Sequence, residues 1–437
     1  MSKLHGIHLP HRKNTAAVKP VRMPSPKTVC LPMSMHIGAP ASPIVKVGDE
    51  VKVGTLIGEA GGYVSAPIHS SVSGKVTAIA PVWLTNGSQS LAVTVESDGL
   101  MTVDEACTPP DVHDYDSFIA AVRASGAVGL GGAGFPTSVK LDVKDTSRVE
   151  AVLINGAECE PYITSDTRTM IDDAEYVKLG IELLEKYLDA KRIIIGIEKN
   201  KTEAIASMKK LENDPAVSVK VLPSVYPQGG EKVLTYHCTG KVIPEGKLPI
   251  DVGCIVINVT TLALIAKYVK TGIPLVEKTV TVDGGAVADP KNIIAPIGTY
   301  LSDLFEFCGG FKSEPVKIIY GGPMMGISVK KLNAVILKNN NAVLAFNEEE
   351  SHLPEPTACI RCGRCVRACP LNLMPLDFAR AYALHDYNLL EDRKINLCME
   401  CGCCSYVCPA NRPLIENHKL AKAALKKHKE TTKGAEK

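Results

Sequence analysis

No stretch of this 437-residue chain is long and apolar enough to cross a bilayer. The longest nearly apolar run, from Cys254 to Ala266, has 13 residues and includes Asn258, Thr260 and Thr261, where a span needs about 20 apolar residues. An export signal is lacking too: the basic opening "MSKLHGIHLPHRKN" is followed by no apolar core and no small-residue cleavage site. The expectation is a cytoplasmic chain, with a peripheral seat on a membrane complex left open. Aromatics make up 5% of the residues and are not interleaved with basic stretches, so nucleic-acid binding leaves no footprint. Neither sign of charge dominates, the formal net charge being +2. The basic end "HKLAKAALKKHKETTKGAEK" reads as a solvated helix or as a contact for an acidic protein or lipid surface. The balance of 45% hydrophobic and 22% charged residues is that of a globular protein, and the length implies roughly two to four domains.

Cysteine, by contrast, is concentrated. Nine of 15 cysteines fall between residues 359 and 408, and without an export signal they are not disulfide candidates. Both "CIRCGRCVRACP" (359–370) and "CMECGCCSYVCP" (398–409) carry the spacing C-x2-C-x2-C-x3-C-P, the arrangement of bacterial two-cluster ferredoxins. Three thiolates at that spacing wrap one side of a 4Fe-4S cubane, and the fourth, at the bend before proline, reaches the neighbouring cluster. Crossed ligation follows, with Cys359, Cys362, Cys365 and Cys408 on cluster 1 and Cys398, Cys401, Cys404 and Cys369 on cluster 2. Structural zinc also takes four cysteines but gives no reason for a repeated trio with a remote fourth. Cys403 reads as a free thiol beside a cluster, with ligand exchange as the alternative. The other six, Cys30, Cys107, Cys159, Cys238, Cys254 and Cys308, read as core or loop thiols.

Clusters need an electron donor, and residues 129–140 read "GLGGAGFPTSVK". Gly129, Gly131 and Gly134 match G-x-G-x-x-G, but the preceding "DSFIAAVRASGAVGLG" reads as helix and turn instead of the required strand, so the ordinary dinucleotide fold is rejected. Gly129, Gly131, Gly132 and Gly134, with Ala133, Phe135 and Thr137, make a loop whose backbone N–H groups can approach a phosphate or ring edge, and Lys140 adds positive charge. A tight structural turn explains only some of these glycines. In "VEAVLINGAECEPYITSDTR" (149–168), residues 151–154 read as a buried parallel strand. Asn155 to Pro161 then form the loop at its carboxyl end, the usual ligand position in an open α/β sheet. Glu158 and Glu160 either accept hydrogen bonds from ribose hydroxyls or a carboxamide, or are solvated. Further α/β alternation follows. "YPQGGEKVLTYHCTG" then presents Gly229, Gly230 and Glu231 ahead of a helix, and "GCIVINVTTLALIAKYV" places Asn258 and Thr261 where they cap a helix or meet a ligand.

In order, "GLGGAGFPT", "NGAECEP", "GGEKVL" and "INVTTL" resemble the FMN and NADH loops of the flavoprotein subunit of respiratory complex I and of bacterial NAD-linked hydrogenases. The later "YGGPMMG" (320–326) and the two-cluster module narrow the resemblance, over nearly the whole chain, to the RnfC family of the Rnf electron-transport complex. The resemblance implies that Gly129 to Thr137, Lys140, Asn155, Asn258 and Thr261 hold FMN, that Glu158 and Glu160 lie by the isoalloxazine and nicotinamide, and that Gly229, Gly230 and Glu231 belong to the same cofactor-binding set. It also implies a reaction: hydride passes between NAD(H), the substrate, and FMN, and single electrons pass to the clusters, with no acid–base residue required. The family couples ferredoxin oxidation to NAD+ reduction and to Na+ or H+ movement. Expected partners are therefore integral-membrane and iron–sulfur subunits, with ferredoxin indirectly, and the expected seat is peripheral, on the cytoplasmic side of the cell membrane. Two departures stand out, since Leu130 and Ala157 replace an arginine and an aspartate of the complex I pattern. The rival reading is an iron–sulfur relay and assembly subunit with no nucleotide site.

The fold class expected is multidomain α/β. Residues 1–110 form an N-terminal segment with a lipoyl-like β-sandwich (barrel-sandwich hybrid) at 40–100, and residues 111–272 the FMN and NAD(H) domain. A β-grasp domain resembling the soluble-ligand-binding β-grasp (SLBB) module of complex I follows at 273–345, then a two-cluster ferredoxin-like domain at 346–418 and a basic tail at 419–437. The sandwich resembles a lipoyl or biotinyl carrier, but no lysine lies between Ser65 and Gly74, so it reads as a structural or docking copy, with His69 at its surface.

Overall fold

The computed structural model describes residues 4–435. Glycine-punctuated strands build the sandwich from two sheets. One orders Thr28–Pro32, Gln89–Ser97, Gly74–Trp83 and Glu50–Val51, and the other Ser42–Pro43, Leu56–Glu59 and Ile68–His69. Alternating side chains from both sheets, among them Leu31, Ile57, Ile68, Val93 and Val95, meet in one core, the period-two pattern of packed sheets. Gly74 has φ 151°, and a Cβ there would collide with the Glu96 carbonyl. His69 corrects the sequence reading: it is only 9% exposed. Burial and the nearby Lys338 ammonium push its pKa down to about 3.

The next domain is a four-stranded sheet in the order Val217–Leu222, Ile193–Glu198, Ala151–Asn155, Cys254–Asn258. All its pairings are parallel. The runs AVLI, IIIGIE and CIVI are buried throughout because helices cover both faces. Val152, Ile154 and Ile195 pack with Phe118, Leu184 and Leu262 on one side, and Leu153 and Ile194 pack with Leu234 and Cys238 on the other. The chain places Ile193–Glu198 on one side of Ala151–Asn155 and Cys254–Asn258 on the other. That reversal opens a crevice at the strands' carboxyl ends.

The β-grasp sheet has six strands, ordered Val21–Arg22, Lys291–Pro296, Glu277–Asp283, Ala342–Phe346, Lys317–Tyr320 and Ile327–Val329, with helix Leu301–Phe307 packed on it through Leu301, Leu304 and Phe305. Its first strand comes from the N-terminal segment that the sequence assigns to the sandwich. The arm before it crosses the molecule, Ile7 pairing with Tyr226. Lys338, buried, joins three domains by donating to the carbonyls of Pro67 at 2.6 Å and Gly126 at 2.8 Å.

In the cysteine-rich domain the connection between the runs forms two helices, Pro375–Ala383 and Tyr387–Asp392, separated by His385 at φ 54°. Helix Leu414–Ala435 passes without a break through residue 419, where the sequence suggests a separate tail. Ala421 and Leu425 pack against Phe378 and Leu390, so its first half is core. Residues 436–437 of that tail lie outside the described residues. Among the described residues no helix is long and apolar enough to cross a membrane.

Candidate functional site: a strand-end crevice joined to two cysteine clusters

Asn155 and Asn258 stand opposite each other at the ends of adjacent strands. Asn258 caps helix Val259–Thr271, its Oδ1 accepting the Thr261 N–H at 3.1 Å, while its Nδ2 donates to Asp166 at 2.7 Å. Asn155 Nδ2 donates to the Gly229 carbonyl at 2.9 Å. The glycine loop closes on itself and on that helix: the N–H of Gly129 reaches the Phe135 carbonyl at 2.8 Å, that of Gly134 the Gly129 carbonyl at 3.0 Å, and that of Leu130 donates to Thr261 Oγ1 at 2.9 Å. A Cβ on Gly131 would stand 2.9 Å from Asn258 Nδ2, so the approach requires glycine. Among the described residues no protein backbone acceptor meets the N–H groups of Gly131, Gly132 or Ala133, and the space over Gly132 is open. Such donors beside a helix N-terminus suit an anion.

Lys140 is already engaged, donating to Glu231 at 3.1 Å and to the Val256 carbonyl at 3.0 Å. It ties the glycine loop to helix Glu231–Thr239. Thr137 Oγ1, Ser165 Oγ and Gln228 Nε2 are buried with no partner, each a cost of about 1–3 kcal/mol unless a ligand satisfies it. Thr137 belongs to the loop itself. Ser165 precedes Asp166, and Gln228 precedes Gly229. The sequence marks neither Ser165 nor Gln228, which carry no spacing signal.

Glu158 and Glu160 are not solvated. Glu158 caps helix Ser165–Asp172, accepting the N–H groups of Asp166 at 2.6 Å and Thr167 at 3.2 Å and the Thr167 hydroxyl at 2.5 Å. Glu160 accepts the N–H groups of Met324 at 3.0 Å and Met325 at 2.8 Å, both in the YGGPMMG turn. Burial pushes Glu160 up to about 7, and raises Glu158 too, outweighing nearby Lys13. Lys13, which sequence reasoning missed, donates to the carbonyls of Glu158 at 2.9 Å, Glu160 at 2.8 Å and Ile163 at 2.5 Å. Leu130 is buried in the sandwich core and Ala157 is fully buried, so the arginine and aspartate of the complex I pattern would be buried charges here.

Cys369, Cys398, Cys401 and Cys404 line one cavity, with Met399 and Phe378 in its wall. Cys403 lines it too, so one thiol from the first run stands among four from the second, and the four expected on cluster 2 are among these five. Cys408 and Cys362 lie close enough to raise the Cys365 thiol electrostatically, although burial is the larger cause. Among the described residues no three cysteines, histidines or carboxylates converge on a single-ion site. Thiols spread around a cavity suit a cubane. The Leu373 N–H points at Cys369 Sγ at 3.3 Å and the Arg361 N–H at Cys359 Sγ at 3.4 Å, the amide contacts that tune cluster potentials. His418, unmarked in the sequence, lies with Nε2 2.9 Å from the Pro375 carbonyl and Nδ1 3.8 Å from Cys398 Sγ.

The crevice and the clusters touch. The Tyr226 hydroxyl donates to the Cys401 carbonyl at 2.8 Å, and the Cys403 thiol points at the Tyr226 carbonyl at 3.9 Å. A Cβ on Gly230 would collide with Met399. Cys159 Sγ accepts the Gly229 N–H at 3.4 Å. Ile7, Tyr226, Ala368, Cys401 and Cys403 share an apolar cluster against which Cys159, Met324 and Met399 pack.

Four domain families match the chain in the order of the folds above: RnfC barrel sandwich hybrid domain at 2–100, Nuo51 FMN-binding domain at 122–267, SLBB domain at 279–328 and 4Fe-4S dicluster domain at 358–412. The RnfC protein of the Na(+)-translocating ferredoxin:NAD(+) oxidoreductase complex of Acetobacterium woodii is 43% identical over 379 residues, 86% of each chain. Its counterpart in the proton-translocating complex of Clostridium ljungdahlii is 41% identical over 88% of this chain and 87% of its own. The counterpart in the ion-translocating oxidoreductase complex of Rhodobacter capsulatus is 38% identical over 96% of this chain and 82% of its own. Among solved structures an NAD+-reducing [NiFe]-hydrogenase aligns at TM-score 0.47 and 19% identity, over 68% of this chain and 52% of that one, a likeness on which nothing further rests.

Proposed function

Since the chain belongs to the RnfC family of ion-translocating ferredoxin:NAD+ oxidoreductase (Rnf) complexes, we propose that it is the subunit at which NAD(H) exchanges electrons with the complex. FMN and two 4Fe-4S clusters are the cofactors its domains carry. Bound flavin supplies the interconversion of a hydride's electron pair and single electrons, which neither nicotinamide nor a 4Fe-4S cluster provides alone.

The residues present fit FMN. The open N–H groups of Gly131, Gly132 and Ala133, beside the Asn258-capped helix, would take the phosphate. Thr137, Ser165 and Gln228 bring polar atoms that lack partners. Asn155 and Lys140 fix the walls through Gly229 and Glu231. Glu160, held by Met324 and Met325, and Glu158, which caps its helix, shape the strand-end loop on which nicotinamide would lie. Tyr226 and Met399 seat the cluster 2 loop on Gly229 and Gly230 and keep water out of the junction. That contact is the observation that carries the reading, because it makes cluster 2 the inlet. Cys359 and Cys362 are exposed, as are Arg361, Arg364 and Arg367, so cluster 1 is the outlet, open to an iron–sulfur partner subunit. The ion path, whether for Na+ or H+, belongs to integral-membrane partners, and the chain sits peripherally on the cytoplasmic side, with ferredoxin reached through other subunits.

Anaerobic reconstitution with iron, sulfide and FMN tests this. Uptake of about one FMN and about eight irons, with both flavin and clusters bleaching in stopped-flow spectra after NADH, is the expected result. Full iron uptake without flavin or any NADH response would reduce the chain to a relay.

A further inference from the structure

Among the described residues three lysines are buried: Lys201, Lys278 and Lys338. Lys201 pairs with Glu198 at 2.8 Å, and Lys338 donates to two carbonyls. Lys278, on strand Glu277–Asp283 and 5% exposed, meets a single acceptor, the Leu130 carbonyl at 2.5 Å. An ammonium has three donors, and a buried one without a paired anion is costly. The negative group whose field reaches it is Asp166, but that carboxylate already accepts from Asn258 Nδ2 and the Thr260 hydroxyl, both at 2.7 Å.

The one acceptor lies in the glycine loop. Leu130 sits between Gly129 and Gly131, directly ahead of the N–H groups of Gly131, Gly132 and Ala133 that have no protein backbone acceptor. Lys140, the loop's own lysine, is committed to Glu231 and the Val256 carbonyl. An anion-binding loop therefore has its basic residue turned to another task, while a cation from a different domain, short of acceptors, is bonded to its backbone.

We infer that Lys278, contributed by the β-grasp domain, is the counter-charge and positioning residue for the flavin phosphate. It holds the loop through the Leu130 carbonyl and supplies the buried positive charge that a phosphate, and not an uncharged flavin, exploits. The inference rests on the FMN reading of the crevice. Burial alone lowers the Lys278 pKa to about 7, and a bound dianion would restore the charge. The β-grasp domain thereby becomes part of the cofactor site instead of a spacer beside it.

The test compares FMN with riboflavin, which differ by the phosphate, binding to the flavin-free full chain with its clusters intact, followed by quenching of flavin fluorescence. Wild type is expected to favour FMN by roughly tenfold or more. Lys278→Met is expected to weaken FMN by a similar factor while moving riboflavin less than about twofold. Equal weakening of both flavins would mean that Lys278 only supports the fold, and an unchanged preference would mean that the phosphate ignores it; either overturns the inference. Lys278→Gln serves if the methionine variant does not fold, and equal affinity of wild type for the two flavins overturns the inference with no variant at all. Wild type that binds neither flavin would sink the functional reading, and the inference with it.

Discussion

A carboxylate that accepts two backbone N–H groups would ordinarily titrate low, yet burial holds Glu160 at about 7 against an ordinary 4.5. The folded chain then binds this proton more tightly than the unfolded chain. The stability tied to it is full below about 4.5 and is lost as pH rises through about 7. Glu160→Gln carries no such proton. The advantage of wild type over this variant should therefore shrink, by at most about 3 kcal/mol, between about pH 5 and pH 8, read by thermal unfolding of the flavin-free chain. A wild-type advantage that grows with pH would refute the assignment. Legibility at this scale divides by what fixes a residue's meaning. Cluster cysteines declare themselves because spacing along the chain is itself the ligand geometry. Lys13, Lys278, Ser165 and Gln228 stay silent because their roles depend on what the fold lays beside them, and a lysine in "EKTVTVD" looks like any other strand lysine.

Among elements, the two cysteine runs make the sharpest forecast. Cys369 sits in the first run but lines the cavity of the second. Cys369→Ser should accordingly remove or distort cluster 2 while leaving the signature of cluster 1 in the electron paramagnetic resonance of reduced protein, and Cys365→Ser should give the complement. Loss of cluster 1 in the Cys369 variant would dismiss crossed ligation. The parallel strands are equally readable, since unbroken β-branched runs mean burial on both faces. Val21–Arg22 is not: two residues carry no periodicity, and only register against Ile293 and Ile294 makes them a strand. Helix Leu414–Ala435 is readable as a helix but not as core. His418, Ala421 and Leu425 are buried at helical spacing, while the lysines on the other face suggest a loose tail.

Across the molecule the two clusters differ in shelter. Cys359 and Cys362 are exposed, whereas Cys369, Cys401 and Cys404 are buried, Cys401 against Tyr226, Met324 and Met399. Mild oxidation should destroy cluster 1 first, leaving protein in which NADH still reduces the flavin and one cluster. Simultaneous loss of both signals would contradict the inlet and outlet order. The arm ahead of the sandwich has a different kind of consequence. Its contacts are with Glu158, Glu160 and Ile163 through Lys13, with Tyr226 through Ile7, with Ile293 and Ile294 through Val21 and Arg22, and with Glu350 through Arg12. During translation the sandwich can close once its last strand leaves the ribosome, in the usual amino-terminal-first order. The roughly twenty residues made before it find their docking places piecemeal, from Glu158 to Glu350, as the chain grows from about one-third to four-fifths of its length. The segment synthesised first thus waits on partners spread over two later domains, and its full seating records that the strand-end crevice and the β-grasp sheet have both been made.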